Sequence, residues 1–165
     1  MEPGELIVTI VRLWVGVVMI AHGMNHARSL DGTARWFGSV GFAAPRRQAQ
    51  VSAFGELAIG ASMLTGFLTS FGAMGVVAIM TVAFWSIHRF AGFFVFSRPD
   101  EGYEYVVTLA LAAAAVAVIG PGPVSVDAVV GIAGELDGWA GLGIAALGLV
   151  VAAGQLALTW RKPDQ

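Results

Sequence analysis

Five apolar stretches, each near the roughly 20 residues a helix needs to cross a bilayer, leave little room for a soluble fold. They run about 6–27, 50–67, 71–96, 103–119 and 139–160. Of the 165 residues 57% are hydrophobic and only 12% charged, about half the charged share of an average soluble domain. The expectation is an all-α integral membrane protein, a single membrane domain over 1–165 with five spans.

What is missing narrows the chemistry. A net charge of −2 without a basic cluster gives no footing for nucleic acid. The chain has no cysteine, which removes disulfides, thiol nucleophiles, thiolate metal ligands, iron–sulfur clusters and covalent haem. A redox role therefore needs a quinone, a non-thiolate metal, a non-covalent haem or a partner protein. The opening Met1-Glu2-Pro3-Gly4-Glu5 is acidic where a secretory signal is basic, so the first apolar run is expected to be a retained helix.

The connections carry the charge. Arg28, Arg35, Arg46, Arg47, Arg98, Arg161 and Lys162 fall on one side of a five-span topology, and Glu2, Glu5, Asp127, Glu135 and Asp137 on the other. By the positive-inside rule the N-terminus lies outside and the C-terminus in the cytoplasm, with the plasma (inner) membrane as location. Trp36 to Phe42 is suited to the interface, and Ser97–Gly102 is a turn rich in breakers. Gly141, Gly143, Gly148 and Gly154 suit close packing of the last helix.

Ionisable residues inside the spans are the candidate site, since each costs roughly 2.5–3.5 kcal/mol at mid-depth unless partnered. At about 1.5 Å rise per residue, His22, Glu56, His88 and Glu104 fall within a slab roughly 10 Å thick, each on a different helix. They are the expected catalytic or proton-handling group, His88 as the hydrogen-bonding or proton-accepting member, because imidazole is the side chain suited to proton exchange, and the two glutamates holding or relaying the proton. Asn25, His26, Trp85, Arg89, Tyr103 and Tyr105 are the expected ligand-binding neighbours. Three chemistries stay open: a quinone headgroup beside an imidazole, an acid and aromatic walls; a zinc, iron or manganese ion on His22, Glu56, His88 and Glu104; and a haem between His22 and His88. The plain alternative is interhelical pairing without chemistry. Arg12, about 15 Å from His22 along the helix, is expected to be structural, near Asp127 or the headgroups.

Several motifs resemble the DoxX family: Val11-Arg12-Leu13 with Gly16, His22-Gly23, Phe54-Gly55-Glu56-Leu57, His88 with Gly92-Phe93-Phe94, Gly102-Tyr103-Glu104-Tyr105, and Gly120-Pro121-Gly122 with Ser125 and Asp127. The resemblance implies a four-helix transmembrane bundle, to which the run at 139–160 adds a fifth helix that docks a partner or a second copy. It also implies kinship with the membrane subunits of thiosulfate:quinone oxidoreductase, and so a subunit of a quinone-linked assembly handling oxidative or sulfur stress. The partners so implied are the lipid bilayer, other redox subunits or a homo-oligomer. The rival reading is a non-catalytic scaffold for soluble enzymes. One departure concerns the site: the family usually has lysine after the His-Gly pair, where this chain has His26.

Overall fold

The computed structural model describes residues 1–96 and 101–163. Residues 97–100 of the expected Ser97–Gly102 turn, Arg98 among them, and the terminal Gln165 lie outside the described residues. The named elements of the described residues are all helices, and an isolated bridge joins Phe42 to Trp160. The elements are α1 (Pro3–Arg28), α2 (Leu30–Ser39), α3 (Pro45–Thr65), α4 (Thr69–Ser86), a 3-10 turn (His88–Phe90), α5 (Glu104–Ile119), α6 (Val126–Val130), α7 (Ala133–Leu136) and α8 (Gly138–Thr159). Among these, α1, α4 and α8 are long and apolar enough to cross a membrane, and α5 is a shorter apolar helix.

Local chemistry sets the boundaries. Pro3 and Pro45 stand at the first turns of α1 and α3, where a missing N–H costs nothing. The reciprocal Glu2–Glu5 bonds of a capping box close the start of α1. Gly66 ends α3 with φ +65°, a conformation that suits glycine.

α1 packs against α3 and α5, α3 against α4, α4 against α5, and α8 against α4 and α5. The core is small and apolar: Val8, Val15, Met19, Met63, Ala73, Val76, Val106, Ala113 and Val116. At Gly23 a side chain would stand 2.8 Å from the Ala53 carbonyl oxygen, so α1 and α3 touch backbone to backbone. Gly141 and Gly148 do the same for α8, whereas Gly143 and Gly154 face open space. Outside the core the apolar residues point outward: Trp14, Val129, Trp139 and Leu158 are 64–88% exposed. Only 22% of the most apolar stretch of α8 is buried. That surface is a burden in water and an asset in lipid.

One expected span is shorter than its sequence. The run 71–96 reads as a single helix, yet α4 stops at Ser86. Ser86 Oγ bonds back to the Val82 carbonyl, and Gly92 takes φ +88°. The carbonyls of Gly92, Phe93 and Phe94 then accept from the amides of Tyr103, Glu104 and Gly102. A helix continued through this segment would use those carbonyls itself and leave the first amides of α5 without acceptors.

The two ends of the molecule are tied differently. At one end the α2–α3 connection meets the end of α8: Ala43 N–H donates to Thr159, Arg161 N–H to Gly41, and Trp160 Nε1 to Val40. At the other end sits Arg12, which has no exposed surface. Its guanidinium donates to the carbonyls of Met63, Leu64, Pro121 and Val124. Arg12 thus does not reach for headgroups; it closes the last turn of α3 against the α5–α6 connection. Asp127, also buried, accepts from the amides of Leu68 and Thr69 at 2.7 and 2.8 Å. This holds Leu68 at φ +51°, which is costly for a leucine. Arg12 and Asp127 make no direct ion pair; they grip opposite sides of the α3–α4 turn.

Candidate functional site

Two hydrogen-bonded groups of side chains lie at the end opposite Arg12. The first joins α1 to α3. Ser52 and Glu56 are four residues apart and share one face of α3, and Ser52 Oγ donates to Glu56 Oε1 at 2.7 Å. His26 Nδ1 lies 3.1 Å from Ser52 Oγ and 3.3 Å from Glu56 Oε2. The serine proton is committed to the glutamate, so His26 Nδ1 carries a proton and donates it to Ser52. Glu56 is 3% exposed, and its Oε2 has the imidazole beside it but no well-aligned hydrogen bond. His26 keeps 18% of its side chain accessible. Its ring is held between α2 and α3 by Trp36 at 6.4 Å and by the edge of Phe37 at 6.0 Å.

The second group joins the segment after α4 to the start of α5. His88 is buried, with Nδ1 2.7 Å from the Glu101 carbonyl and Nε2 2.8 Å from the Tyr105 hydroxyl. A carbonyl only accepts, so Nδ1 bears the proton and Nε2 accepts from tyrosine. The two groups draw on different elements, the first on α1 and α3 and the second on the segment after α4 and the start of α5.

Tyr105 also lines a groove of about 540 Å³ between α1 and α5, together with Trp14, Val18, Phe93, Glu104, Thr108 and Leu109. Its size is that of a small-molecule site, and its walls are mostly apolar. Glu104, the first residue of α5, is half-buried there. Tyr103 packs its ring on Phe84 and Phe93 and so supports the groove from behind.

The expected convergence of His22, Glu56, His88 and Glu104 is therefore only partly met. His22 is exposed, and its Nδ1 bonds to the Val18 carbonyl of its own helix. The place beside Glu56 belongs to His26, one turn further along. Asn25 is exposed as well. Trp85 and Arg89 stack on each other, 3.9 Å from guanidinium carbon to ring, outside these two groups. Among the described residues no three of His, Asp and Glu gather as metal ligands, so the set His22, Glu56, His88 and Glu104 is not assembled. Ser52 and the Glu101 carbonyl were not anticipated. The spacing of Ser52 and Glu56 carries that information, whereas a backbone carbonyl in a turn leaves no mark in the sequence.

No curated protein and no solved structure matches the chain. A family model described as DoxX matches residues 7–89, half of the chain, a range that holds His26, Ser52, Glu56 and His88 and stops before Tyr105. The chain is accordingly a member of the DoxX family, an integral membrane protein that sits in the lipid bilayer.

Proposed function

We propose that this protein is the membrane subunit of a quinone-linked redox assembly, which takes a quinone-like headgroup into the α1–α5 groove and moves protons to or from it. The observation that carries the reading is the double role of Tyr105. Its hydroxyl is committed to His88 Nε2 on one side, while the residue itself lines an aromatic-walled groove on the other. A phenol that donates to an imidazole keeps its own oxygen lone pairs for a ligand hydroxyl.

The protein's part in the chemistry follows from those bonds. In the direction of quinol oxidation, Tyr105 accepts the ligand's hydroxyl proton at its oxygen and gives its own proton to His88 Nε2. His88 then carries a positive charge, with its Nδ1–H held by the Glu101 carbonyl. Glu56, Ser52 and His26 continue the path to the partly exposed His26 edge. Two-electron oxidation releases a second proton as well, and the carboxylate of Glu104, which also lines the groove, takes it. The electrons pass to a partner oxidoreductase subunit, and reduction of a quinone runs the same path in reverse. The bound group would supply two-electron chemistry; the chain supplies position, a dry wall and the proton route.

In this reading α1, α3, α4, α5 and α8 cross the bilayer as four bundle helices plus one, forming a single membrane domain. The joined α2–α3 connection and α8 end, which carry Arg46, Arg47, Arg161 and Lys162, lie in the cytoplasm, and the N-terminus lies outside the plasma membrane. A C-terminal reporter active only in the cytoplasm checks that placement.

The decisive experiment is solvent extraction of the detergent-purified protein for quinones, followed by titration with a short-chain quinone read by Trp14 fluorescence. Saturable quenching that Tyr105→Phe weakens about tenfold, the loss of one hydrogen bond, supports the reading. Neither co-purified quinone nor saturable quenching leaves a membrane scaffold for soluble partners as the function.

A further inference from the structure

A different set of polar groups lies on the α4–α8 flank and plays no part in the proton path. The Arg89 guanidinium carbon stands 3.9 Å over the Trp85 ring, 4.5 Å from the centre of Phe90 and 6.0 Å from that of Trp160. Lys162 Nζ lies 5.4 Å from the Phe90 ring, which brings a second cation to the same aromatic patch. Stacking satisfies the faces of a guanidinium but not the N–H groups along its edge. Arg89 Nε is buried without a hydrogen-bond partner. Among the described residues no carboxylate lies within ion-pair distance of Arg89, Arg161 or Lys162.

Arg161 stands at the end of a furrow, and Arg89 adjoins it through the Trp85 ring on which it stacks. A groove of about 440 Å³ lies between α4 and α8, walled by Thr81, Leu149, Ala153 and Leu156 and ending at Trp85, Trp160 and Arg161. An occupant must therefore be apolar along most of its length and anionic at one end, and it must reach the site from the side. We propose that this is a binding site for an anionic phospholipid, with one acyl chain in the α4–α8 groove and the phosphodiester on Arg89 and Lys162. The phosphate oxygens supply the acceptors that the guanidinium edge lacks, and the planar fork suits them better than it suits water. Two tryptophans at the mouth hold the glycerol level, where indole rings settle. Charge complementarity selects the headgroup, because a zwitterionic lipid brings its own cation to an already cationic patch.

The test uses the full chain with Trp14→Phe, Trp36→Phe and Trp139→Phe, so that Trp85 and Trp160 report alone. The protein is reconstituted in phosphatidylcholine vesicles with increasing brominated phosphatidylglycerol, or with brominated phosphatidylcholine as the reference. The expected result is preferential quenching by the anionic lipid of about fivefold, the effect of one cation at a membrane surface. Arg89→Gln with Lys162→Gln should abolish the preference, and Arg46→Gln with Arg47→Gln should leave it intact. Equal quenching by the two lipids, or a preference that survives Arg89→Gln with Lys162→Gln, overturns the proposal. Should that double variant fail to fold by gel filtration, competition decides on the parent protein. Unbrominated phosphatidylglycerol must relieve the quenching and millimolar inorganic phosphate must not. Relief by phosphate alone would assign a free-anion site and end the lipid proposal.

Discussion

The two polar ends of this bundle spend their buried charges in opposite ways. Around Arg12 and Asp127 every partner is backbone: four carbonyls for the guanidinium, two amides for the carboxylate. Around Glu56 and His88 the partners are mostly side chains, one carboxylate oxygen lacks an aligned donor, and a groove opens alongside. A backbone-saturated charge fixes chain geometry and has nothing left to exchange. A side-chain network with spare lone pairs and two titratable rings can change its protonation without moving a helix. The contrast separates an architectural end from a chemical one, even though both bury ionisable groups in apolar surroundings.

The largest effect that tests this contrast is expected at the architectural end. Arg12→Met strands four carbonyls, and unfolding in mixed detergent micelles should show a loss of more than about 3 kcal/mol or no folded protein at all. Next comes Asp127→Ala, which frees the amides of Leu68 and Thr69 and should cost about 2 kcal/mol in the same assay. Glu56→Gln belongs to the other class: it should change stability by less than about 1 kcal/mol, because it removes a buried charge with an incomplete shell. It should nevertheless slow quinone-linked proton uptake in proteoliposomes at least tenfold, a loss in the range one acid–base group contributes. If Glu56→Gln unfolds the protein as severely as Arg12→Met, the two ends are not different in kind. His22→Ala should be silent in both assays, which would sharpen the assignment of His26 over its neighbour one turn earlier.

That last pair shows what a sequence can and cannot convey. Depth along a helix is a matter of counting, and counting alone sets His22, Glu56, His88 and Glu104 near one level. Rotation about the axis needs knowledge of which face is buried, and here the contact face runs through Arg12, Gly16, Met19 and Gly23. His22 is turned about 100° from Gly23, whereas His26 follows it by nearly one turn and returns toward α3. The small residues Gly16 and Gly23, where backbones can meet, hold that information. Tyr105 was legible as a neighbour of the site but not as its pivot, because its partner His88 depends on where α4 ends. That end in turn depends on carbonyls needed by a helix ten residues further on, a long-range demand absent from local propensity. The membrane character was plain from hydropathy, whereas among the described residues α1, α4 and α8 are long and apolar enough to cross a membrane and α5 is a shorter apolar helix, against five expected spans; the structural role of Arg12 was legible, its burial was not. A guanidinium that satisfies itself on carbonyls from two segments, the end of α3 and the α5–α6 connection, cannot be read from charge pairing.

The early stop of α4 has a mechanical consequence. His88 stands beyond the last α-helical hydrogen bond of α4, in the 3-10 turn, and among the described residues its ring is hydrogen-bonded by the Tyr105 phenol and the Glu101 carbonyl. An imidazole embedded in mid-helix would have to drag its backbone ladder along whenever it swung. This one is mounted like a latch on a short strap, and it can follow a proton from one side to the other while the surrounding rods stay in register.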